Sequence, residues 1–540
     1  RRLPPAMRTA DTERNRAFVL LRMGMLRRLE GKPQESARAL DESIALLAPV
    51  VARGAASEAV TLNLATAYTE RGRLAYSNGE TQTAPAMAQR SVDLSKTLAE
   101  APAASLAARL TYVAALSSQG YIAMRNSNMA AALTALRRAT TVAAGHPDLG
   151  SRMAYIDASS WMYEALTLDG QYAEGALVAE RTLKAIDDVV AIYPGHRVAL
   201  RIKGEVMFVL GAADLALFQP GRALGWLDQE IASTEAQLKQ DPANGRILIG
   251  ASIGYGYKAL CLYRLGRIGE ANAAADASML PYRAIVPISH HSENLYEYSS
   301  AKAEAEADLG DRASLEKTML QVHRFALGIA GEDTTNVSAR ALGAFADELE
   351  AVKMALLLGQ SVVSPDTTTA LIAHSKRLLE LFPTAGGGVD VFPYAAHAYQ
   401  LDARRAYEAG DFVRAEASGR LALGMAGRVV GAGMMDLQVL RMGHALALAR
   451  LQRHAEARAL VGQALAVQRA AIAGGSDDQM LRLEMAQSLY VSALAQPGAG
   501  AAELKEAAAL AAALPAQMQA LRSVKLWRAR IDNARKERRA

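Results

Sequence analysis

The 540-residue sequence has one cysteine and no apolar run long enough to cross a membrane. With Cys261 as the single cysteine, intramolecular disulfides and metal sites built on several cysteines are excluded. Cys261 lies in the apolar run 259–263, so we expect it to be a small core residue. The longer apolar stretches, such as 206–213 and 507–514, are too short for a membrane span. We expect no signal peptide, and because the chain begins at Arg1 rather than methionine we expect a piece of a longer protein.

Aromatic residues are also scarce, at 5% of the chain, and runs rich in valine, isoleucine and threonine are nearly absent. Such runs are what a β-sheet would need. Alanine and leucine, which favour helix, supply most of the 51% hydrophobic fraction. The length is too great for one compact globule. We therefore expect helix from end to end, in several domains or in one elongated array.

Motifs for catalysis and for cofactor binding are absent as well. Gly254 and Gly256 lack the third glycine of a nucleotide-binding loop, because Ala259 stands in its place, and they are better explained by close helix packing. No kinase motif is present. The adjacent His290 and His291 cannot share a helical face, and no third ligand lies at metal-like spacing. The sequence therefore predicts no catalytic residue, no cofactor and no metal.

The formal charge is +5, with arginine well in excess of lysine. Positive residues alternate with acidic ones along the predicted helices, and the one dense basic run is 528–539. A terminal helix with cations in its last turn explains that run better than nucleic-acid binding does. We therefore do not expect a nucleic-acid partner.

Glycines recur at a fixed spacing, at Gly24, Gly72 and Gly120, which are 48 residues apart each time. Each follows an apolar helical run and precedes a turn, as do later junctions around Gly170 and Gly410. A small residue then opens the second helix of each predicted pair: Ser36, Ala84, Ala132, Ala223, Ala271 and Ala457.

This pattern has a direct physical reading. A glycine after a helical run can supply a left-handed C-terminal cap, and small residues in both helices let their backbones approach closely. Each helix pair is amphipathic and cannot bury its apolar face alone, so neighbouring pairs must stack.

The pattern resembles the tetratricopeptide-repeat family. The resemblance rests on Gly-x-Tyr/Phe-x-x-Ala at 170–175 (with glycine in the last place) and at 410–415, on the small residues above, and on prolines near repeat ends: Pro147, Pro194 and Pro242. It implies an all-α fold, an α-solenoid of stacked antiparallel helix hairpins in a right-handed superhelix with about ten repeats. Long-period arrays of this kind resemble the C-terminal regions of bacterial multidomain regulators.

Two departures from the family pattern shape the predicted domains. The spacing is 41–48 residues instead of the family's mid-thirties, which predicts helices of roughly 18–22 residues. The region 331–395 matches poorly, and we expect loops at 331–335 and 384–391. The second loop would divide a larger block, 1–383, from a smaller block with a C-terminal helix, 392–540.

The resemblance also implies which residues would face a partner. In the family these side chains lie on the inner surface, on first helices just before the turn. Carried over repeat by repeat, they are Arg73, Tyr76, Tyr121, Arg125, Asp157, Tyr263, Arg264, Arg404 and Tyr407, with Ser160 and Glu164 beside Asp157. Tyrosine and arginine are typical of binding hot spots. Equally, tyrosines here could pack between helices, and arginines occur on any surface. The family's lysine and asparagine carboxylate clamp is not reproduced.

These observations favour a non-catalytic scaffold or sensor that recognises a protein or peptide. The alternative is the C-terminal regulatory region of a larger bacterial enzyme, such as a serine/threonine kinase, or of a transcription regulator. A hydrolase or transferase built on an α/α toroid would need more aromatics than this chain has. We expect a cytoplasmic location, or a periplasmic one if a membrane segment precedes Arg1. The sequence does not indicate an oligomeric state.

Overall fold

The computed structural model describes residues 9–538, apart from 55, 79, 81, 127, 282–291, 329–336, 358–364, 382–390 and 428–436. Within that part the chain forms 24 α-helices and no β-strand. The first twelve are α1 (Ala10–Leu29), α2 (Pro33–Ala52), α3 (Glu58–Ser77), α4 (Thr83–Ala99), α5 (Leu106–Arg125), α6 (Met129–Ala143), α7 (Leu149–Leu168), α8 (Tyr172–Ile192), α9 (Arg197–Ala216), α10 (Pro220–Gln240), α11 (Gly245–Arg264) and α12 (Ile268–Met279). The second twelve are α13 (Ser292–Leu309), α14 (Arg312–Gly328), α15 (Val337–Leu357), α16 (Pro365–Leu381), α17 (Phe392–Glu408), α18 (Phe412–Ala426), α19 (Leu437–Arg450), α20 (His454–Ala473), α21 (Gln479–Leu494), α22 (Ala501–Ala512), α23 (Ala516–Gln519) and α24 (Arg522–Glu537).

The chain forms two compact units, residues 1–206 and residues 207–540, which we call unit 1 and unit 2. This division falls within α9 and differs from the predicted division at 384–391. Residues 384–390 lie outside the described residues, so the blocks 1–383 and 392–540 stay a prediction. The predicted loop at 331–335 lies outside the described residues too.

Unit 1 is a stack of antiparallel helix hairpins. In each hairpin the two helices pack together, the second helix packs on the next first helix, and successive first helices touch. The first helices α1, α3 and α5 have 20 residues each and begin at residues 10, 58 and 106. This confirms the 48-residue spacing over α1, α3 and α5 and the predicted length of these three helices. Several other helices are shorter than the predicted 18–22 residues, among them α4, α6, α17, α19 and α21, which have 17, 15, 17, 14 and 16 residues. Pro147 and Pro194 lie in connections between hairpins, as predicted, and in unit 2 so does Pro242.

Unit 2 repeats the same arrangement. Each first helix from α11 to α21 packs on the helix that follows it, and α24 packs on α22. The array continues through the region where the sequence pattern was poorest, because α15 packs on α14 and α16 packs on α17. Among the helices that the structure describes, none is both long enough and apolar enough to cross a bilayer.

Glycines serve two separate roles in these hairpins. Turn glycines such as Gly170 and Gly410 have φ values of +77° and +81°, a conformation that costs other residues free energy. The glycines spaced by 48 residues instead lie inside first helices. A Cβ on Gly24 would lie 2.6 Å from Cγ of Leu40, a fully buried side chain of α2. At Gly24 and Gly120 the glycine therefore makes room for a leucine of the second helix, Leu40 and Leu136, whereas beside Gly72 the second helix carries Ala88 and the nearest atoms lie 3.4 Å from the place of a Cβ. The turn glycines end the first helices.

The small residues that open second helices form the seam of each hairpin, as predicted. Ser36, Ala84, Ala132, Ala223, Ala271 and Ala457 are all completely buried. The Ser36 hydroxyl also donates a hydrogen bond to the Gly24 carbonyl at 2.7 Å. Ser43 and Ser91, further along their second helices, donate to carbonyls of the paired first helices at 2.8 and 2.7 Å. These bonds give the buried hydroxyl groups hydrogen-bond partners and set the axial register of one helix against the other.

The expectation that Gly254 and Gly256 allow close helix packing is confirmed. A Cβ on Gly254 would meet the side chains of Glu230 and Ile231 on α10, and a Cβ on Gly256 would meet the ring of Tyr298 on α13. Cys261, on the same helix, is completely buried, as its apolar surroundings predicted.

Candidate functional site

Three aromatic side chains from consecutive first helices of unit 1 form a row that we call the aromatic stripe. Tyr76 of α3 meets Tyr121 of α5 edge-on, with ring centroids 5.6 Å apart. Tyr121 meets Trp161 of α7 with centroids 4.8 Å apart and planes inclined at 59°. All three side chains are half-buried, so part of each ring faces solvent. An edge-to-face pair such as Tyr76 and Tyr121 is worth about 0.5–1.5 kcal/mol beyond its buried area, which favours these ring positions.

Charged side chains flank the stripe. The Arg125 guanidinium lies 5.4 Å from the centroid of the Tyr121 ring and 2.9 Å from a carboxylate oxygen of Glu164 on α7. The Arg125 side chain is still 40% exposed, so it can bind a further group. On α9, Arg201 and Glu205 form an ion pair at 2.6 Å.

Two carboxyl groups beside the stripe are recessed. Burial is the main factor raising the pKa of Asp157, with Glu205 adding to it and Arg73 and Arg201 opposing it. Burial likewise raises the pKa of Glu164, while the nearby Arg125 lowers it. Both side chains nevertheless keep solvent-accessible area. A carboxylate that is poorly hydrated but reachable favours a cationic or hydrogen-bond-donating group of a ligand.

The structure therefore brings five of the predicted partner-facing residues into one surface of unit 1. These are Arg73, Tyr76, Tyr121, Arg125 and Asp157, together with Ser160 and Glu164; we call this surface the unit 1 face. Whether these residues bind a partner stays a prediction.

Sequence reasoning missed three residues of this surface: Trp161, Arg201 and Glu205. Trp161 is one of only three tryptophans in the sequence and directly follows Ser160, one of the predicted partner-facing residues. Spacing does not indicate Trp161, because α5 and α7 are offset by 43 residues and the counterpart of Tyr121 is therefore Glu164. Arg201 and Glu205 lie in α9, beyond the part of the chain where glycines recur every 48 residues. The repeat pattern therefore could not indicate which residues of α9 correspond to the selected residues of α3 and α5.

Tyr263 and Arg264 on α11 of unit 2 contact the chain's own helices. The Tyr263 hydroxyl donates to Asn272 at 2.5 Å, and burial raises the pKa of Tyr263 well above its ordinary value. Arg264 forms an ion pair with Asp478 and lies 3.7 Å from Glu484. The Asp478 side chain is completely buried and also caps α21. A role for these two residues in partner binding stays a prediction, as does the role of the next pair.

That pair, Arg404 and Tyr407, lies on α17. Arg404 pairs with Glu408 one turn along the same helix, at 3.2 Å. The Tyr407 hydroxyl accepts a hydrogen bond of 3.0 Å from Arg450 on α19, and its ring centroid lies 5.3 Å from that of Phe412. Both side chains therefore already have partners within unit 2.

A buried carboxyl group lies between α10 and α11. Glu230 is 5% exposed; one of its oxygens accepts from the Thr234 hydroxyl at 2.7 Å, and the other has no hydrogen-bond partner among the described residues. Burial raises the pKa of Glu230 to about 7. Two further titratable groups, Tyr255 of α11 and Glu235 of α10, bond each other at 2.5 Å, and the charge of Glu230 acts on Tyr255.

Glu230 should make the stability of unit 2 depend on pH with a defined sign. The folded-state pKa of Glu230 lies above its ordinary value of 4.5. The contribution of Glu230 to the free energy of unfolding is therefore fully present below pH 4.5 and is lost as the pH rises through about 7. Glu230→Gln, which imitates the protonated group, is expected to stabilise unit 2 by about 2 kcal/mol at pH 8 and to change little at pH 4. Urea unfolding at the two pH values measures this, with the exposed Glu235→Gln as control. Equal effects of E230Q at both pH values would contradict it.

Comparisons with known proteins identify the type of fold. No protein-family model matches the sequence, and no curated protein matches it. The chain has the fold of the tetratricopeptide-like helical-repeat proteins, an all-α solenoid of stacked hairpins.

Among solved structures, it is similar to the apo form of RapI, with a TM-score of 0.51 and 10% sequence identity over 79% of this chain and 99% of that one. A Rap protein complexed with competence and sporulation factor matches with a TM-score of 0.43 and 12% identity over 78% and 98% of the two chains. Yeast Tom70 matches with a TM-score of 0.33 and 12% identity over 96% of both. At these identities the likeness to RapI concerns the fold alone.

No group of three or more histidine, cysteine, aspartate or glutamate side chains suited to a metal ion occurs within the described ranges. The predicted junction at His290 and His291 falls outside the described residues.

Proposed function

We propose that the chain is a non-catalytic scaffold or sensor whose unit 1 face binds an extended segment of a protein or peptide partner. The observation that carries this proposal is the aromatic stripe, in which Tyr76, Tyr121 and Trp161 of three helices contact one another beside recessed charges. Tyrosine, tryptophan and arginine dominate binding hot spots, because they offer large contact areas at low cost in conformational entropy. Stacked helix hairpins present such side chains on a continuous surface.

The charges indicate what the segment should carry. Asp157 and Glu164 are poorly hydrated carboxyl groups, as their raised pKa values indicate. A lysine or arginine side chain of the ligand would replace the missing hydration with charge-assisted hydrogen bonds. Arg125, which is 40% exposed beside the stripe, would meet a carbonyl or carboxylate of the same segment. We therefore propose a peptide with aromatic or aliphatic residues and a basic side chain.

The experiment compares two arginines that form matched ion pairs, of which only Arg125 lies beside the aromatic stripe. Arg125 pairs with Glu164 between first helices at 2.9 Å, and Arg137 pairs with Glu174 between second helices, also at 2.9 Å. Peptides would be selected from a random displayed library on the intact chain, and their affinities measured by isothermal titration. R125A should weaken binding at least about tenfold, whereas R137A should leave it unchanged.

Failure to select any peptide would count against the proposal, and so would equal effects of the two substitutions. No observation on this chain favours the alternative of a regulatory region of a kinase or transcription regulator, so we do not propose it.

A further inference from the structure

Six first helices of unit 2 form a closed ring. From α11 to α21 each first helix packs on the next one, and α21 packs back on α11. The closing contact includes the ion pair of Arg264 with Asp478 and a hydrogen bond of 3.3 Å from the Gly221 amide to Asp477. Each second helix packs on the first helices at both sides of it, so it covers one side of the gap between them. The other side of these gaps faces the interior of the ring.

Ionisable side chains of consecutive first helices meet in this ring. We call Glu304 of α13, Glu350 and Lys353 of α15 and His397 of α17 the ring cluster. The Lys353 ammonium contacts Glu304 and lies 3.4 Å from Glu350. The charges of Lys353 and Glu350 act on His397, and that of Glu304 acts on Tyr263 of α11. These interactions join first helices to one another, which places the cluster on the interior side of the ring.

The ring cluster is recessed but reachable. The Glu304 side chain is 42% exposed and that of Lys353 is 25% exposed, while His397 is half-buried. Burial is nevertheless the main factor that raises the pKa of Glu304, and burial lowers the pKa of His397 to about 4, with the charge of Lys353 adding to it. Side chains that water reaches while protein surrounds them lie in a recess. At neutral pH His397 is therefore an uncharged imidazole, with one nitrogen that accepts a hydrogen bond.

Negative charge prevails in the ring cluster at neutral pH. Glu304 and Glu350 are balanced by Lys353 alone, because His397 is uncharged. Burial lowers the pKa of Lys353, but the charges of the two carboxylates outweigh burial and hold that pKa above its ordinary value. The electrostatic potential at this place is therefore negative, although the whole chain carries a formal charge of +5.

Glu350 also has a buried oxygen that lacks a hydrogen-bond donor. The residue is 3% exposed, and its Oε1 accepts from the Tyr296 hydroxyl at 3.1 Å and from Lys353 at 3.4 Å. Its Oε2 has no hydrogen-bond partner in the part of the chain that the structure describes. A buried acceptor without a donor costs free energy. The cluster therefore favours a ligand that donates hydrogen bonds.

From these observations we infer that the ring cluster binds a small organic cation, with a primary ammonium or guanidinium group placed against Glu304 and His397. Such a group donates charge-assisted hydrogen bonds to the exposed carboxylate and to the imidazole nitrogen. An anion would meet the negative potential. A metal ion fits less well, since the described residues hold no group of three or more side chains suited to one. The inference is independent of the peptide-binding function proposed for the unit 1 face.

The test uses agmatine, a four-carbon chain with an ammonium group at one end and a guanidinium group at the other. Isothermal titration at pH 7 and low salt measures its binding to the intact chain, and 1,4-butanediol, with the same carbon chain but no charge, is the control ligand. Glu304→Gln should weaken agmatine binding at least about tenfold. Glu316→Gln, at an exposed position of the second helix α14, is the matched control and should leave binding unchanged.

Binding of one agmatine per chain that E304Q weakens and E316Q does not supports the inference. A wild-type chain that binds agmatine no better than butanediol overturns it. Equal binding by wild type and E304Q also overturns it, because the amine would then occupy other carboxylates, such as those of the unit 1 face. None of these results bears on the selection of peptides or on the effect of R125A, so the proposed function is tested separately.

Discussion

Replacing Gly256 with alanine is expected to lower the free energy of unfolding of unit 2 by about 3 kcal/mol. The added Cβ would lie under 3.0 Å from three atoms of the Tyr298 ring. That ring is completely buried and is packed edge-on against Tyr257, with centroids 6.1 Å apart, so it has no free space into which it can turn. The helices would have to separate, and the loss of packing would follow. Urea unfolding monitored by circular dichroism measures the change.

Gly462→Ala is the matched control for this substitution. Gly462 also lies inside a helix of unit 2, α20, but a Cβ there would meet nothing within 4 Å. Because alanine favours helix over glycine, G462A should stabilise the protein by about 0.5–1 kcal/mol. If G256A and G462A changed stability alike, close packing through glycine would not be what holds α11 against α13.

The second large effect is expected at Arg264. Replacing it with methionine keeps much of the length of the side chain but removes the guanidinium that faces the completely buried carboxylate of Asp478. Breaking a buried ion pair on one side costs about 3–5 kcal/mol, because the remaining charge stays away from water. R264M should therefore destabilise unit 2 by about 3 kcal/mol, measured as a shift of the urea midpoint.

Arg267→Met provides the comparison, three residues further on. Arg267 pairs with Glu270 through two bonds of 2.8 and 2.6 Å, yet both side chains are about half exposed. An exposed pair contributes at most about 1 kcal/mol, so R267M should have little effect. A similarly small effect of R264M would mean that Arg264 is free to serve a partner, as its position in the repeat had suggested.

The repeat itself could be predicted from sequence because its causes are local. The same places in successive hairpins carry glycine at 24, 72 and 120 and a small residue at 36, 84 and 132. They recur because the two helices of each hairpin pack against each other in the same way. The observed burial of those small residues confirms the prediction. The glycines at 48-residue spacing mark packing sites instead of helix ends, a distinction that spacing alone does not make.

Contacts between distant parts of the chain could not be predicted in this way. Arg264 and Asp478 are 214 residues apart, and nothing local to either one indicates the other. The same holds for Ser523, whose backbone amide donates to Asp308 at 2.7 Å across 215 residues. From the family resemblance we expected Arg264 to face a partner. That expectation supposes an array in which the exposed side of the first helices meets only solvent or a partner.

The candidate site was predicted best where repeats keep their register. Arg73 and Tyr121 lie 48 residues apart at equivalent places of α3 and α5, and Tyr76 and Arg125 lie within one turn of them. The structure brings Tyr76, Tyr121 and Arg125 together. Beyond α5 the spacing changes, and Trp161 was missed by one position. The charges that complete the unit 1 face depend on which helices lie side by side, and only the folded chain specifies that.

Peptide binding at the unit 1 face is tested most directly by a crystal structure of the chain with a peptide selected on it. We expect the peptide to lie along α3, α5 and α7, with its side chains in van der Waals contact with Tyr121 and Trp161 and a basic group near Asp157 and Glu164. A peptide bound elsewhere, with Tyr76, Tyr121 and Trp161 left untouched, would contradict the proposed function.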